Sequence, residues 1–364
     1  MSVIVLGGGL MGTATAFFLA RRGVKVTLID SGRIGAGATV ASFGNIRRSG
    51  RYLPQLPLAR RSLDLWGRTE TLLGRDVEFR ATGHLRLIFD DDGLNLARRF
   101  SQDARPWGLE LEELTAAELR HRFPGLGPEA IGASFSPQDG SANPRLIAPA
   151  FAEAAARAGA TVIDGVEIRA IRHGFVVDTS HGVFRADQLV NCAGHGGAAI
   201  ANTFGERVPM AVLGPQMGVT EPLPHRILPV VGVWSAAHGA YLRQVERGNV
   251  VFGGAVTRTK VGPDGRAHVD PAQLSEQLRA VVRLVPALRH VAVIRQWSGA
   301  EGYVEDGLPV MGSSSTTDGL FHAFGFCGHG FQLGPGVGDA MAELVATGRC
   351  DTPLDPFRIG RFAA

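Results

Sequence analysis

The chain has 364 residues, more than one compact core usually takes, and its 45% hydrophobic content is ample for burying two. Its 37 basic and 34 acidic residues leave a formal charge of +3 with no basic tail, which argues against nucleic-acid binding; lysine occurs only at Lys25 and Lys260, so the basic residues are almost all arginine. Cys192, Cys327 and Cys350 are odd in number and widely spaced, fitting neither a disulfide framework nor a metal site, so a reducing cytoplasm is expected.

"SVIVL" is a short apolar run ending in glycine, "MGTATAFFLARRG" carries helical periodicity, and "VKVTLID" is a second apolar, β-branched run. Together they predict a β-α-β unit. The opening is not expected to be a secretory signal, because a basic leading region is missing and three successive glycines break the apolar run. No uninterrupted stretch reaches the length of a membrane span. From Arg51 to Phe123 the pattern is helical and rich in Arg and Leu, with a strand-like "GHLRLIF" and a turn-like "DDDG" inside it. "NPRLIAPAFAEAAARAGATVI" predicts a long amphipathic helix delivering into a strand. "GVEIRAIRHGFVVDTSHGVFRADQLVNCAG" then predicts alternating strands ending in a buried one. Strand-like runs dominate between Val208 and Ile294, joined by a helix over "PAQLSEQLRAVVRLV", and the remainder returns to glycine-rich loops and a final helix.

This order predicts an α/β protein with interleaved domains. Residues 1–76, 141–208 and 299–364 are expected to build a Rossmann-like nucleotide domain. Residues 77–140 and 209–298 are expected to build an antiparallel-sheet substrate domain.

The strongest motif lies at the start. Gly7, Gly9 and Gly12 form G-x-G-x-x-G between a strand and a helix, with Asp30 ending the second strand. Gly7 permits the tight turn, Gly9 lets the backbone approach a pyrophosphate, and Gly12 lets helix and strand pack closely. The helix N-terminus, with Leu10 and Met11, offers unpaired N–H groups to the anion. Asp30, followed by Ser31, is placed to accept hydrogen bonds from the adenosine ribose. An acid at position 30 disfavours NADP and leaves FAD and NAD.

Behind this fingerprint come "GVEIRAI", "ADQLVNCAG", "YLRQVERGNVVFGG", "WSGAEGYVEDGLPVMG" and "DGLFHAFGFCGHGFQLGPGVGDAMAELV". In this order they resemble the D-amino-acid oxidase superfamily of flavoproteins, over nearly the whole chain. The resemblance implies noncovalent FAD in a domain of the glutathione-reductase type, roofed by the antiparallel sheet of the substrate domain. It implies that Val166 meets the adenine through its backbone, that Ala193 and Gly194 close around the adenosine half, and that Ser42 and Asn45 lie near the pyrophosphate and flavin. Gly328 sits in the second glycine-rich loop, and Gly330, Phe331 and Gln332 open a helix whose N–H groups point at the flavin pyrimidine. Cys192 is read as a small buried residue. Cys327 lies outside the segment through which some relatives attach flavin.

Within the superfamily, the segment that reads G-L-R-P in glycine and D-amino-acid oxidases is "GAEG" here, with Glu301 replacing the anchoring arginine. Gly328 stands where a glycine oxidase carries another arginine. "WSGAEGYVEDGLPVMG" and "GHGFQLGPGVG" are more similar to β-type subunits of opine dehydrogenases, D-hydroxyproline dehydrogenases and cyanide-forming glycine dehydrogenases, and to the β subunit of multimeric sarcosine oxidase. That likeness implies oxidation of an amino acid or secondary amine, with electrons passed to partner subunits. The oxygen-assisting lysine of sarcosine oxidases is missing from "NVVFGGAV", although Lys260 lies just beyond. "SANPRL" lacks the histidine that binds FMN in the multimeric enzyme, so an interfacial FMN would be noncovalent.

A carboxylated amine needs an anchor, usually a bidentate arginine. Arg48, after "SFGN", is preferred to Arg47, and Arg243 is a second candidate if its strand face, shared with Tyr241, covers the flavin. Glu301 and Tyr303 are expected to face a substrate amine, unless Glu301 is a solvated turn residue or a partner for arginine. His329 contacts flavin or substrate, or bonds its own loop. His84 is expected to be structural. The alternatives are a self-sufficient oxidase releasing peroxide, a flavin-binding subunit without substrate chemistry, and an NAD enzyme.

Overall fold

The computed structural model describes residues 1–235, 239–254, 258–262 and 266–363. The opening segment folds as its pattern predicts: strand Ser2–Leu6, helix Leu10–Arg21 and strand Lys25–Ile29 form a β-α-β unit with both strands parallel. Around it a six-stranded sheet runs in the order Val310–Ser313, Leu320–Phe324, Gln188–Asn191, Ser2–Leu6, Lys25–Ile29 and Thr161–Ile163. All its pairings are parallel except that of the edge strand Val310–Ser313. The strand ends carrying Gly7 and Asp30 therefore lie side by side at the carboxyl edge, where open α/β sheets bind ligands.

The eight-stranded sheet joins Val293–Ser298, Gln216–Pro222, Asn249–Gly253, Tyr241–Gln244, Val230–Val233, His84–Ile88, Gly132–Ser136 and Glu112–Thr115. Its ladders are antiparallel except for His84–Ile88 beside Val230–Val233. A smaller sheet pairs Met210–Gly214 with Thr259–Lys260 and Glu301–Val304. The helix Pro271–Leu284 follows Asp270, whose carboxylate accepts from the Ala272 N–H at 2.9 Å. "DDDG" is a helix start rather than a turn: the Asp90 side chain accepts from Gly93 N–H at 2.7 Å and opens Asp91–Ala104. An N-cap and a turn draw on the same residues, and only the following periodicity separates them.

The helix Leu10–Arg21 is buried on nearly all sides, between the sheet, the helix Ile147–Arg157 and the C-terminal helix Gly330–Thr347. Phe17, Phe18 and Phe151 interlock there, with 5.5 Å between the Phe17 and Phe151 ring centroids. Burial of a phenylalanine such as Phe151 contributes about 1.5–3 kcal/mol. Three glycines of "GFQLGPGVG" have a packing role. A Cβ on Gly334 would sit 2.3 Å from Leu10 Cγ, one on Gly338 2.4 Å from Ala14 Cβ, and one on Gly336 2.7 Å from Ser62 Cβ. The C-terminal helix is thereby wedged between Leu10–Arg21 and Leu56–Trp66. Its first turn is clamped as well, since Ser62 Oγ and Trp66 Nε1 both donate to the Gln332 carbonyl, at 2.5 and 2.8 Å.

One buried polar knot ties the sheet to its flank. His322 Nε2 lies 2.8 Å from Glu206 Oε2, and the same carboxylate accepts from Ser314 Oγ, Ser315 N and Ser315 Oγ. Burial opposes ionisation of Glu206, but His322 and the Ser314–Ser315 donors outweigh it and hold the carboxyl at about 2, below its ordinary 4.5. A depressed acid stabilises the fold above its unfolded pKa, and that contribution fades as pH falls toward the folded value. Glu206→Gln is thus expected to cost about 1–3 kcal/mol near neutrality. The gap should close between about pH 4.5 and 2. Urea unfolding of both proteins across that window checks it, and a pH-independent gap would refute it.

Candidate active site

Each glycine of the first motif answers to a measurable constraint. Gly7 has φ +107°, and a Cβ there would lie 2.3 Å from the Cys192 carbonyl oxygen. A Cβ on Gly12 would lie 1.8 Å from the Gly7 carbonyl oxygen, so this glycine serves the strand-helix contact. Gly9 is different, since its Cβ would meet only Thr39 Oγ1, at 3.4 Å. It borders a cavity of about 430 Å³, within the usual range for small-molecule sites. The helix behind it has no side-chain cap at Gly9; Leu10 N–H donates to Thr39 Oγ1 at 2.9 Å, and the helix N-terminus faces the same cavity. Asp30 accepts from Gly8 N–H and, at 2.6 Å, from Gly32 N–H. Burial raises its pKa while these bonds pull it back.

Gly7, Gly9, Leu10, Met11, Asp30, Ser31, Ser42, Ala193, Gly194, Gly328, Gly330 and Phe331 all line this cavity, from three distant parts of the chain. Val166 does not: it is fully buried, its N–H points at the Asp30 carbonyl at 3.4 Å, and Ile168 lines the wall instead. Arg33, Thr39 and His195 also line it, and sequence reasoning passed over them. Thr39 stands in "GATVASFGNIR", where a hydroxyl beside a glycine-rich turn is the available signal.

A second cavity, of about 280 Å³, shares Ser42, Glu301, Cys327, Gly328 and Phe331 with the first and is contiguous with it. Asn45 and Gln332 line this one. The eight-stranded sheet contributes Met217 and Tyr241. Tyr241 packs on Phe43 with ring centroids 4.7 Å apart, and burial pushes its phenol up to about 12. The strand Glu301–Val304 contributes Glu301 and Tyr303, which share a face, and Tyr303 Oη donates to Glu301 Oε2 at 2.8 Å. They lie half-buried on a strand rather than in a turn. Burial raises the Glu301 pKa, with the Tyr303 hydrogen bond acting against it.

The arginine preference is corrected by the geometry. Arg48 lines neither cavity; its Nε lies 3.5 Å from Asp139 Oδ1, and its Nη2 donates to Gln138 Oε1 at 2.8 Å. Asp139 Oδ2 also accepts the Arg48 and Ser49 N–H groups, at 2.9 and 3.3 Å, so this buried acid shapes the loop. That loop presents Arg47 and Arg51 to the second cavity instead. Arg243 shares the face of Tyr241 as expected, but it packs behind the cavity, where its Nε donates to the Phe43 carbonyl at 2.7 Å. Burial lowers the Arg47 and Arg51 pKa values from 12.5, for Arg51 with Arg47 adding to the effect. Guanidinium stays protonated in proteins, so the penalty marks two cations held away from bulk water.

His329 lies at the start of the C-terminal helix. Its Nδ1 is buried with no partner, and its carbonyl accepts from Arg51 Nη1 at 3.1 Å. Burial, then Arg47, Arg51, Arg258 and Arg86, hold its pKa well below 6.5, so the imidazole is neutral at neutral pH. His84 is structural, bonded through Nδ1 to Ser49 Oγ at 2.9 Å behind the arginine loop. Cys327 takes φ +52°, lines both cavities, and accepts at Sγ from the Val304 N–H at 3.2 Å. Cys192 is buried in the wall, its thiol pushed up to about 12 by burial.

The residues present fit FAD. The Gly9 and Gly328 positions are open to a ligand, the helices behind Gly9 and His329 have no side-chain caps, and Asn45 Oδ1, Gln332 Oε1 and His329 Nδ1 are buried without partners at the expected flavin end. Gln332 Nε2 is committed to the Ala59 carbonyl at 2.8 Å, which leaves its backbone N–H as the donor to consider.

A β-α-β dinucleotide cradle opening into a cationic cavity under an antiparallel sheet defines a flavin-dependent oxidoreductase. The chain belongs to the DAO family, described as FAD dependent oxidoreductase, which matches residues 2–344. It is 31% identical to a glycine oxidase of Geobacillus kaustophilus, covering 99% of this chain and 96% of the relative. It is 29% identical to the sarcosine oxidase subunit beta of Rhodobacter capsulatus, covering 99% and 89%. The crystal structure of an L-proline dehydrogenase from P. horikoshii superposes with a TM-score of 0.92 at 28% identity, covering 100% and 97%. The cofactor is FAD. Among the described residues, no helix is long and apolar enough to cross a membrane.

Proposed function

We propose that this chain oxidises the CH–NH bond of a carboxylated amine, an amino acid or N-substituted amino acid, as the dehydrogenase subunit of a complex. The observation that carries the reading is the second cavity, where Arg47, Arg51 and a neutral His329 face the flavin end of the FAD site. Bound FAD supplies the hydride acceptor. Arg47 and Arg51 hold the substrate carboxylate and so orient its α C–H, which is most of what such a reaction asks of the protein. His329 Nδ1 accepts a hydrogen bond from the substrate nitrogen, while the positive charge of Arg47 and Arg51 favours the free-base amine. Tyr241 and Met217 cover the reacting atoms from the sheet and exclude water. The substrate leaves as an imine, which hydrolyses.

Transfer of electrons to a partner is favoured by the sequence around "NVVFGGAV". No lysine occurs there, Ala255 and Val256 lie outside the described residues, and Lys260 is exposed. The relative named as a sarcosine oxidase subunit supports a partner as well.

Anaerobic addition of sarcosine, proline, opines and D-amino acids to the FAD-loaded chain is expected to bleach the flavin with at least one substrate. Reoxidation by a dye should then exceed reoxidation by oxygen by about a hundredfold or more. Equal rates would establish the self-sufficient oxidase instead, and no bleaching by any amine would leave a flavin-binding subunit without substrate chemistry.

A further inference from the structure

Among the described residues, Glu301 is the one acid lining the second cavity, and it lines the first as well, so its carboxyl stands where the two meet. It opens the strand Glu301–Val304, where alternation of side chains puts Tyr303 on the same face. Tyr303 Oη donates to Glu301 Oε2 at 2.8 Å and fixes the direction of the carboxyl. Gly328 of the flavin loop, at φ +78°, lies beside the pair. A Cβ there would come within 3.4 Å of Tyr303 Oη and 3.7 Å of Glu301 Oε2, so a side chain at this position would cover them. Glycine leaves both open to the cavity.

The chemistry leaves a proton to be placed. An amine of pKa about 10, like a lysine ammonium, is bound from neutral solution as its cation, and the cation has no lone pair to form the C=N bond. The groups around the cavity differ in their ability to take that proton. Arg47 and Arg51 are cations already, and His329, held well below its ordinary 6.5 by burial and the arginines, is a poor base. Burial keeps the Tyr241 and Tyr303 phenols and the Cys327 thiol protonated, with the Glu301 charge adding to each effect. His195 lines only the first cavity. Glu301 remains: burial favours its neutral form, while the Tyr303 hydrogen bond and the charge of Arg258 favour its anion.

We infer that Glu301 is the proton acceptor of the reaction, taking one proton from the substrate ammonium, and that Tyr303 positions its carboxylate for that transfer. This rests on the proposed function and adds a catalytic residue to it. In the step, one N–H bond of the ammonium breaks, its electron pair stays on nitrogen, and an O–H bond forms on Glu301. An N–H that remains keeps its hydrogen bond to His329 Nδ1. The α-hydrogen then leaves as hydride, as in the proposed function, and the nitrogen lone pair forms the C=N bond. Glu301 gives its proton to water once the product has left. The bland alternative is that Glu301 and Tyr303 only brace the cavity wall.

Anaerobic stopped-flow bleaching of the FAD-loaded full chain separates the two, read as the rate constant at low substrate across pH with whichever amine above bleaches fastest. In the wild type it is expected to stay level between about pH 7 and 9, because ionised Glu301 and the ammonium together hold one transferable proton throughout that range. In Glu301→Gln only free-base amine from solution can react, so the rate constant should fall about tenfold per unit below the substrate pKa, about a hundredfold from pH 9 to 7. Glu301→Asp should restore a level stretch. Tyr303→Phe removes a hydrogen bond to the charged carboxyl, so the acid limb of the wild-type profile should move to higher pH. A Glu301→Gln profile lowered by one factor at every pH, with its slopes unchanged, overturns the inference and leaves the proposed function standing. Should that variant lose its flavin, the wild-type profile decides: a climb of about tenfold per unit all the way to the substrate pKa overturns the inference equally. If no amine bleaches the wild type, the proposed function fails and this inference with it.

Discussion

Gly7→Ala is expected to purify without bound flavin. The residue sits at φ +107°, where a side chain is strained by about 1–3 kcal/mol, and the new Cβ would fall 2.3 Å from the Cys192 carbonyl and 2.9 Å from Ala193 Cα. Those atoms belong to backbone immediately after the strand Gln188–Asn191, where Cys192 N–H is bonded to the Leu6 carbonyl, so they cannot rotate away. The turn must shift instead, at a further cost of about 1–3 kcal/mol, and it carries the first helix N-terminus with it. A total near 4 kcal/mol corresponds to about a thousandfold in FAD affinity if it falls on the bound state, with the rest appearing as lower stability. Gly9→Ala is the control. Its Cβ meets only Thr39 Oγ1 at 3.4 Å and points toward the cavity, so FAD binding should weaken while the melting temperature of the FAD-free protein holds. Flavin content and thermal unfolding of both variants decide the matter. A Gly7→Ala protein that keeps full flavin and stability would show that the turn is not under the constraint described.

Arg47→Gln and Arg48→Gln, neighbours in sequence, should fail in different ways. Arg47 faces the second cavity with no acid bound to it, and its loss is expected to raise KM for a carboxylated amine by about a hundredfold, the effect of losing one charged contact worth 2–3 kcal/mol. Stability should change little, since the side chain donates only to the Ser49 carbonyl. Arg48 lies in neither cavity and pairs with the fully buried Asp139. Removing it strands that carboxylate, at a cost of about 3–5 kcal/mol of stability, while KM in the surviving folded enzyme stays within a few-fold. Steady-state kinetics beside urea unfolding separates them. The reverse pattern would return the carboxylate anchor to Arg48.

That contrast marks where sequence reasoning stopped. "RR" at positions 47 and 48 offers two identical side chains, and their directions are set by the pairing of Asn45–Ile46 with Gly140–Ser141, which brings Asp139 to one of them and not the other. Arg243 raised the same difficulty. Its strand face was assigned correctly, but sharing a face with Tyr241 does not put it over the cavity, because Phe43 from a loop two hundred positions away fills the space between. Gly334, Gly336 and Gly338 look like more of the flavin loop in sequence, yet they let two helices approach the C-terminal helix.

By itself the sequence determined what is local or ordered along the chain: the β-α-β unit, the roles of Gly7 and Gly12, the acid at Asp30, and the order of segments that carries the family likeness. Those features are governed by backbone sterics and short-range periodicity, which neighbouring residues specify. Tertiary structure alone decided which arginines face the cavity, that Glu301 and Tyr303 form a half-buried pair, and that His329 is neutral. Each depends on burial and on charges brought from remote segments, and a side chain's electrostatic state is a sum over neighbours in space rather than along the chain.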